Sequence, residues 1–454
     1  MPTGIDMPGM QQVRRKSRAV LRKSGLAPSG PVYGRLVDAG RSLPIPAAAR
    51  VAVSTAVLRR PWKVPVRFDQ LLVGAQGGWT AREFADRTGD LLWPSTPFLD
   101  GPHVALLRLA DEVPDLTDEQ ILDSGYGRLG MRCIKAGGNY FGGTDEAGVL
   151  AAARVFIARY RGEPAPGDHG QGDRGKGEKP RPQQSGPQDP VLVAPVRGSD
   201  RYQILDGHHR LAIAAMSGAD GASVVAKWLP VTTPLQDLLL KMSWLDGTHE
   251  LYQPIDAPEL ESGWTTVRQC TDRLTKMDAF LGERGITSGR YLDVASCYGW
   301  FVSQMAGRGF DAEGIERDPL AVPLGRAVYG LPDGVISTGD CVEFLGGHDP
   351  ARWDVVSCFS LLHHFVLGRG SVTAEELIRL LDRATGRVLF FDTGQDNEAW
   401  FAESLRGWDP PRVERFLREH TGFDEIIDLG PDEDARPPYE DNYGRHLFAC
   451  VRTT

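Results

Sequence analysis

Two sets of side chains in this 454-residue chain have types and spacing suited to chemistry. The first is Asp206-Gly207-His208-His209-Arg210, which puts a carboxylate, two imidazoles and a guanidinium on one turn between the apolar "YQIL" and the small-residue stretch "LAIAAM". Backbone N–H groups at a helix start attract anions. The second set comprises Asp293 in "LDVASCYGW", Glu316 in "GIERD", Asp340 in "TGDCVEF", and His363 and His364 in "SLLHHF". A carboxylate at a strand end can accept both hydroxyls of a ribose. An imidazole that titrates near neutrality can take a proton from a hydroxyl.

The second set needs a scaffold, and from about residue 285 the pattern supplies one. "GRYLDVAS", "FDAEGIE", "GVISTGD", "WDVVSCFS" and "GRVLFFDTG" alternate with helical stretches, which predicts βαβ units and a parallel sheet. "FDEIIDLG" and "GRHLFAC" add two strands close together, so the expectation is a doubly wound sheet with an antiparallel edge. Ligands of such sheets bind beyond the carboxyl ends of the strands, where strand order reverses. That places Asp293, Glu316 and Asp340 at successive strand ends, with Gly299 opening the first helix. Adjacent residues on a helix point about 100° apart, so at most one of His363 and His364 can face the site. Histidines at a helix start can also simply bond backbone.

Residues 61–245 read as a separate α+β domain. "WKVPVRFDQLLVG" predicts a strand and a helix start, "TDEAGVLAAARVFIARYRG" an amphipathic helix, and "PVLVAPV" with "RYQILDG" a hairpin. Residues 161–190 are rich in Gly, Pro and charge, the composition of a flexible insertion. Within them Gly170–Lys176 imitates a phosphate loop, but Gly177 stands where Ser or Thr should bind magnesium and no strand leads in. Residues 1–60 carry eleven Lys or Arg against Asp6 and Asp38, a basic arm able to lie on an anionic membrane surface or to stay solvated. The remainder is therefore acidic, about −18 of a total −9, which argues against a nucleic-acid-wrapping protein. Six scattered cysteines offer no zinc spacing and fit reduced thiols in a cytosolic protein. No apolar run is long enough to span a bilayer.

The strand-end acids and "WDVVSCFSLLHHF" resemble the class I S-adenosylmethionine-dependent methyltransferases over about 246–454. That family has an Asp-x-Gly-x-x-x-Gly loop around the methionine part and an acid after strand two on the ribose. The likeness implies a Rossmann-like domain in which Asp293, Ala295, Gly299, Glu316 and Asp340 hold the cofactor, Asp340 near the adenine amino group. Ala295 departs from the family glycine, a small intrusion expected to leave binding intact or weakened. A nicotinamide domain would need G-x-G-x-x-G, which "ASCYGW" lacks. Base amino-methylation is disfavoured, because strand four lacks an Asp/Asn-Pro-Pro-Tyr loop and "RPPYE" at 436–440 lies between the last two strands. Tyr252, Gln253, Arg268, Arg273 and the ending "NYGRHLFAC" resemble bacterial methyltransferases of surface polysaccharides and sugars. That likeness makes Arg268 or Arg273 a partner for the cofactor carboxylate, with a surface salt bridge as the alternative.

"YQILDGHHRLAIAAMSG" resembles the signature of the ParB/sulfiredoxin fold, which includes nucleotide-binding partition proteins, sulfiredoxins and free-serine kinases. His208 occupies the sulfiredoxin cysteine position, so sulfur repair is not expected. The likeness implies a phosphate at the turn, with His209 and Arg210 as cationic or donor groups, Gly207 and His208 beside them and Asp206 as orienter or base, and with ATP, ADP or CTP as the ligand. Asp123, Asp145 and Glu146 are candidate acids if phosphoryl transfer occurs. The expectation is thus a cytoplasmic, bacterial-type enzyme that methylates a hydroxyl of a sugar, glycan or small molecule, using His363 or His364 as base. No metal and no nucleic acid is expected. The alternatives are a nucleotide-regulated binding protein, a bifunctional kinase-methyltransferase, and a DNA-binding protein.

Overall fold

The computed structural model describes residues 62–74, 76, 79–164, 190–242, 249–399, 401–434 and 444–453. The basic arm, the phosphate-loop imitation and "RPPYE" lie outside them. The chain divides into two compact units, one of residues 1–237 with 257–263, the other of 238–256 with 264–454.

The first unit is built on a five-stranded mixed sheet: β1 (Trp62–Val66), β2 (Leu71–Leu72), β3 (Leu192–Pro195), β4 (Tyr202–Asp206) and β5 (Ala222–Ala226), in the order β1-β5-β3-β4-β2. β3 and β4 pair antiparallel, as their turn residues predict. The helix start expected after β1 is only the 3-10 turn Phe68–Gln70, and the chain then re-enters the sheet as β2 beside β4. Leu71 and Leu72 are fully buried, so tertiary burial overrides the local preference. The amphipathic helix forms as Glu146–Arg161. Asp145 caps its Gly148 N–H, Gly162 ends it, and Val149, Ala153, Phe156 and Ile157 face the core.

The second unit carries a two-stranded ribbon, β6 (Glu250–Leu251) with β7 (Thr265–Thr266), and seven further strands. They are β8 (Gly289–Val294), β9 (Phe310–Glu316), β10 (Ile336–Thr338), β11 (Trp353–Cys358), β12 (Thr385–Phe391), β13 (Glu425–Pro431) and β14 (His446–Val451). Their order is β10-β9-β8-β11-β12-β14-β13. The first five run parallel, and β14 alone is antiparallel to its neighbours β12 and β13. The sequence reading put the antiparallel strand at the edge. It lies one place in, because β14 turns back from β13 and inserts between it and β12. Helices cover both faces, and Leu292, Val294, Val355, Val356, Leu389 and Phe391 are fully buried, as a parallel sheet requires. The helix Ala374–Ala384 shows the local logic: Thr373 and Glu376 form a capping box, and Leu377, Ile378 and Leu381 are buried on one face. Strand order reverses between β8 and β11, which fixes where a ligand site is expected.

Candidate active site

The loop leaving β8 is held from outside the sheet. Gln253 accepts the Trp300 N–H at 3.1 Å, donates to the Ser296 carbonyl at 3.2 Å, and gives its own backbone N–H to the Tyr298 hydroxyl at 2.8 Å. One side chain thus satisfies an orphan N–H at the start of the helix Trp300–Ala306 and fixes the turn before it. Within that turn Ala295 (φ 63°) and Cys297 (φ 53°) are left-handed, a conformation costing an L-residue about 1–2 kcal/mol. Gly299 (φ 89°) is not a cavity residue, contrary to its expected cofactor role. Its hydrogen leaves room for Ile336 and Leu331, whose methyl groups would lie 2.7 Å from a Cβ there.

Glu316 ends β9. Its Oε2 accepts the Cys297 N–H at 2.9 Å, and its Oε1 accepts those of Arg317 at 2.7 Å and Asp318 at 3.0 Å. Burial raises its pKa, against the pull of these three donors. Asp340, after β10, caps the helix Cys341–Gly346 through the Val342 N–H at 2.7 Å. Both carboxylates border a cavity of about 620 Å³, of a size that takes small molecules. Arg317, Arg369, Arg445, His363 and His364 share its wall with the rings of Tyr252, Phe359, Phe365 and Phe401.

A narrow recess of about 20 Å³, room for a water, shares Tyr252, Ala295, Phe359 and Ser360 with the cavity and reaches Asp293. Asp293 faces Ser357 across the β8/β11 pair and accepts its hydroxyl at 2.6 Å, while the Tyr291 hydroxyl lies 2.6 Å from the same serine oxygen. Burial pushes the Asp293 carboxyl up to about 7.

Arg268 and Arg273 also border the recess, but their guanidiniums are engaged by protein carboxylates. Arg273 pairs with Asp392 at 2.6 Å and Asp432 at 2.7 Å. Arg268 pairs with Asp432 and donates to Ser360 Oγ at 2.8 Å. Arg445 adds a bidentate pair to Glu398, at 2.7 and 2.8 Å, and donates to the same Ser360 oxygen at 2.6 Å. Neither alternative read from the sequence describes Arg268 and Arg273. They are not surface salt bridges, each being 2% exposed, and they form a buried framework instead of standing ready for a cofactor carboxylate. The framework holds Ser360 at φ 58° beneath the cavity, with its N–H on Asp392. Among the described residues, Asp272, Asp432 and Asp434 could share a cation by distance. Asp432 is already the counter-ion of two arginines, and Asp434 takes the Thr271 hydroxyl and the Asp272 N–H.

The two histidines after β11 separate cleanly. His363 is 4% exposed, its Nδ1 accepts the Gly394 N–H at 3.2 Å, and burial with the nearby Arg445 pushes its pKa down to about 2. Its remaining nitrogen carries the proton, which corrects the expectation that it could serve as base. His364 is exposed on the cavity wall, its pKa lowered by partial burial and by Arg369, Arg445 and Arg317.

The DGHHR turn also departs from expectation. Asp206 ends β4, and Gly207 (φ 100°) starts the helix His208–Met216. His208 is buried, with Nε2 2.6 Å from the Val73 carbonyl. His209 Nε2 lies 2.9 Å from the Tyr126 hydroxyl, and its ring stacks on Phe156 at 4.1 Å and Phe141 at 4.6 Å. Burial lowers His208 to about 4 and His209 to about 3, so both are neutral imidazoles, one buried and one half-buried, rather than cationic phosphate donors. Arg210 pairs with Asp206 at 3.2 Å. Asp145 is spent as a helix cap, and Asp123 and Glu146 are exposed. All six cysteines are free, five of them buried.

The sequence had not singled out Ser357, Ser360, Arg317, Arg369, Arg445 or Asp392. The positions of Ser357, Ser360, Arg317 and Asp392 at or just past strand ends could have flagged them, whereas nothing in the sequence marks Arg369 or Arg445.

No protein-family model matches the chain, and no curated protein does. Among solved structures it is similar to the bifunctional kinase-methyltransferase WbdD, with 20% identity, a TM-score of 0.37, and 48% of this chain and 46% of that one covered. It is similar also to a SAM-dependent methyltransferase from Archaeoglobus fulgidus (14% identity, TM-score 0.29, covering 40% and 94%). A third is the magnesium protoporphyrin IX methyltransferase ChlM from Synechocystis PCC 6803 with bound SAM (16% identity, TM-score 0.30, covering 40% and 79%). The chain matches less than half the length of WbdD. The fold rests on the strand order above rather than on these scores.

Proposed function

We propose that the second unit is an S-adenosylmethionine-dependent methyltransferase acting on a hydroxyl of a sugar, glycan or related metabolite. The observation that carries this reading is a single cavity at the strand-order reversal, bordered by the carboxylates that follow β9 and β10 and by one exposed imidazole that follows β11. The donor set fits a nucleoside cofactor. Glu316 is fixed by three N–H groups in an orientation suited to ribose hydroxyls, and Asp340 borders the same cavity for the base. When bound, the cofactor supplies an electrophilic methyl group and a neutral thioether leaving group.

His364 takes the proton of the acceptor hydroxyl as its oxygen bonds to carbon, and its lowered pKa keeps it unprotonated at neutral pH. His363 braces its neighbour, with ring centroids 4.2 Å apart, and anchors the segment after β12 through Gly394. Tyr252, Phe359, Phe365 and Phe401 offer apolar faces to the carbon face of a sugar ring and keep water from the reacting oxygen.

The test is calorimetric binding of S-adenosylhomocysteine to the whole chain and to Glu316→Ala. Loss of the carboxylate should weaken binding by about 1.5–3 kcal/mol, the worth of charged hydrogen bonds. Equal affinity in the two proteins would sink the assignment.

A further inference from the structure

His364 is exposed on the cavity wall, and the charges acting on it are of one sign. They come from Arg369, just beyond its own helix, from Arg445 before β14, and from Arg317 after β9. Arg445 has Glu398 as a close partner. Arg317 and Arg369 differ, since both are exposed, both border the cavity, and neither forms an ion pair among the described residues. The cavity's own acids, Glu316 and Asp340, stand at the ends of β9 and β10, where the cofactor reading already employs them. His363, the other titratable neighbour, is neutral. Two unmatched guanidiniums beside a candidate base make a place for an anion, because a planar fork of N–H donors matches phosphate and carboxylate oxygens.

We infer that the acceptor carries an anionic group, phosphate ester or carboxylate, held by Arg317 and Arg369 on the cavity wall that they share with His364. The assignment rests on the methyltransferase reading for its purpose, though not for its measurement. In the free protein the arginines disfavour a proton on His364. A bound anion offsets them, so the acceptor itself makes the imidazole a stronger base as it seats its hydroxyl there. A neutral sugar of the same shape leaves the arginines uncompensated. Arg317 and Arg369 are thus specificity-determining residues, and His364 reports their occupancy.

The experiment follows the His364 ring proton by NMR as a function of pH in the full chain, with His364→Gln to identify the resonance. The probes are glucose 1-phosphate, glucuronate and glucose. An anionic sugar should raise the His364 pKa by about one unit, as an opposite charge in contact does, and glucose should leave it in place. The rise should vanish in the Arg317→Ala/Arg369→Ala double variant and largely return in the double lysine variant, which keeps the charge. Response to the phosphate sugar alone marks a phosphate-bearing acceptor, response to glucuronate alone a carboxylate-bearing one. Identical behaviour of all three sugars, or an anion response that survives the double alanine variant, overturns the inference. S-adenosylhomocysteine calorimetry on the same samples judges the cofactor reading separately. An anion response without cofactor binding would leave the anion site standing and remove the methyltransferase.

Discussion

Ala295 stands where the resembled family has glycine, and its φ of 63° shows what the substitution costs. The methyl group itself borders the cavity, so the penalty is conformational and is paid by the backbone. Ala295→Gly should therefore stabilise the second unit by about 0.5–1 kcal/mol once glycine's extra unfolded-state entropy is deducted. A midpoint in urea that falls or stays put would contradict this. The neighbouring histidines make a sharper pair. His364→Gln should lower kcat by about 10²–10⁴-fold with S-adenosylhomocysteine affinity unchanged, the usual weight of a general base. His363→Gln should cost stability and little kcat, because the wild-type ring accepts an amide proton from Gly394 and packs against His364 and Phe401 without taking the acceptor's proton. The pH profile supplies the sign. A base whose pKa is lowered from 6.5 stays active as pH falls through 6.5, and its acid limb lies below that value. In kcat/KM, which reports the free protein, an acid limb above pH 6.5 would exclude His364, whereas the limb of kcat moves up once an anionic acceptor is bound.

The elements of the first unit carry a different chemistry. The helices Pro102–Glu112, Gly125–Gly137 and His208–Met216 bring the ring of His103 to centroid distances of 5.0 Å from His208 and 5.3 Å from His209, with Tyr126 against His103 and His209. All three imidazoles have pKa values lowered first by burial, His103 well below 6.5. In the unfolded chain each binds a proton near pH 6.5. The unfolded state therefore binds more protons below that pH, and stability present above 6.5 is lost as pH falls toward 4. Three such groups give a slope approaching about 4 kcal/mol per pH unit near the bottom of that window. The first unit should show a steep fall in melting temperature between pH 6 and 4, and His209→Gln should flatten it. A melting temperature independent of pH across that window would show that the imidazoles are not held neutral. The arginine framework under the cavity behaves oppositely in kind. The carboxyls of Asp392 and Asp432 lie below the ordinary value because Arg273 and Arg268 outweigh their burial, so their contribution is present above about pH 4 and lost only in stronger acid.

At the scale of the molecule, the seven strands of the second unit's large sheet could be read from the chain because each is a short apolar run bounded by turn residues, the first five of them followed by helices. Asp293, Glu316 and Asp340 were equally readable, being the residues at which those runs stop. What the sequence hid was pairing at a distance. Arg273 meets Asp392 at a separation of 119 residues and Arg268 meets Asp432 at 164, and no periodicity announces such partners. The DGHHR turn misled for a related reason: a histidine beside a helix start reads as a donor until the aromatic residues that enclose it are placed. Two separate cores imply two separate responses to ligand. A ligand that binds only the native second unit stabilises that unit by RT ln(1 + [L]/Kd), about 2.7 kcal/mol at a hundred times Kd. In calorimetric scans of the whole chain, S-adenosylhomocysteine should raise the transition of the second unit, while acid between pH 6 and 4 should lower that of the first. The Glu316→Ala protein should lose the first response and keep the second. If instead both transitions rise together with S-adenosylhomocysteine and fall together in Glu316→Ala, the cofactor is coupled to both cores. The first unit would then have a part in methyl transfer that its buried histidines alone do not suggest.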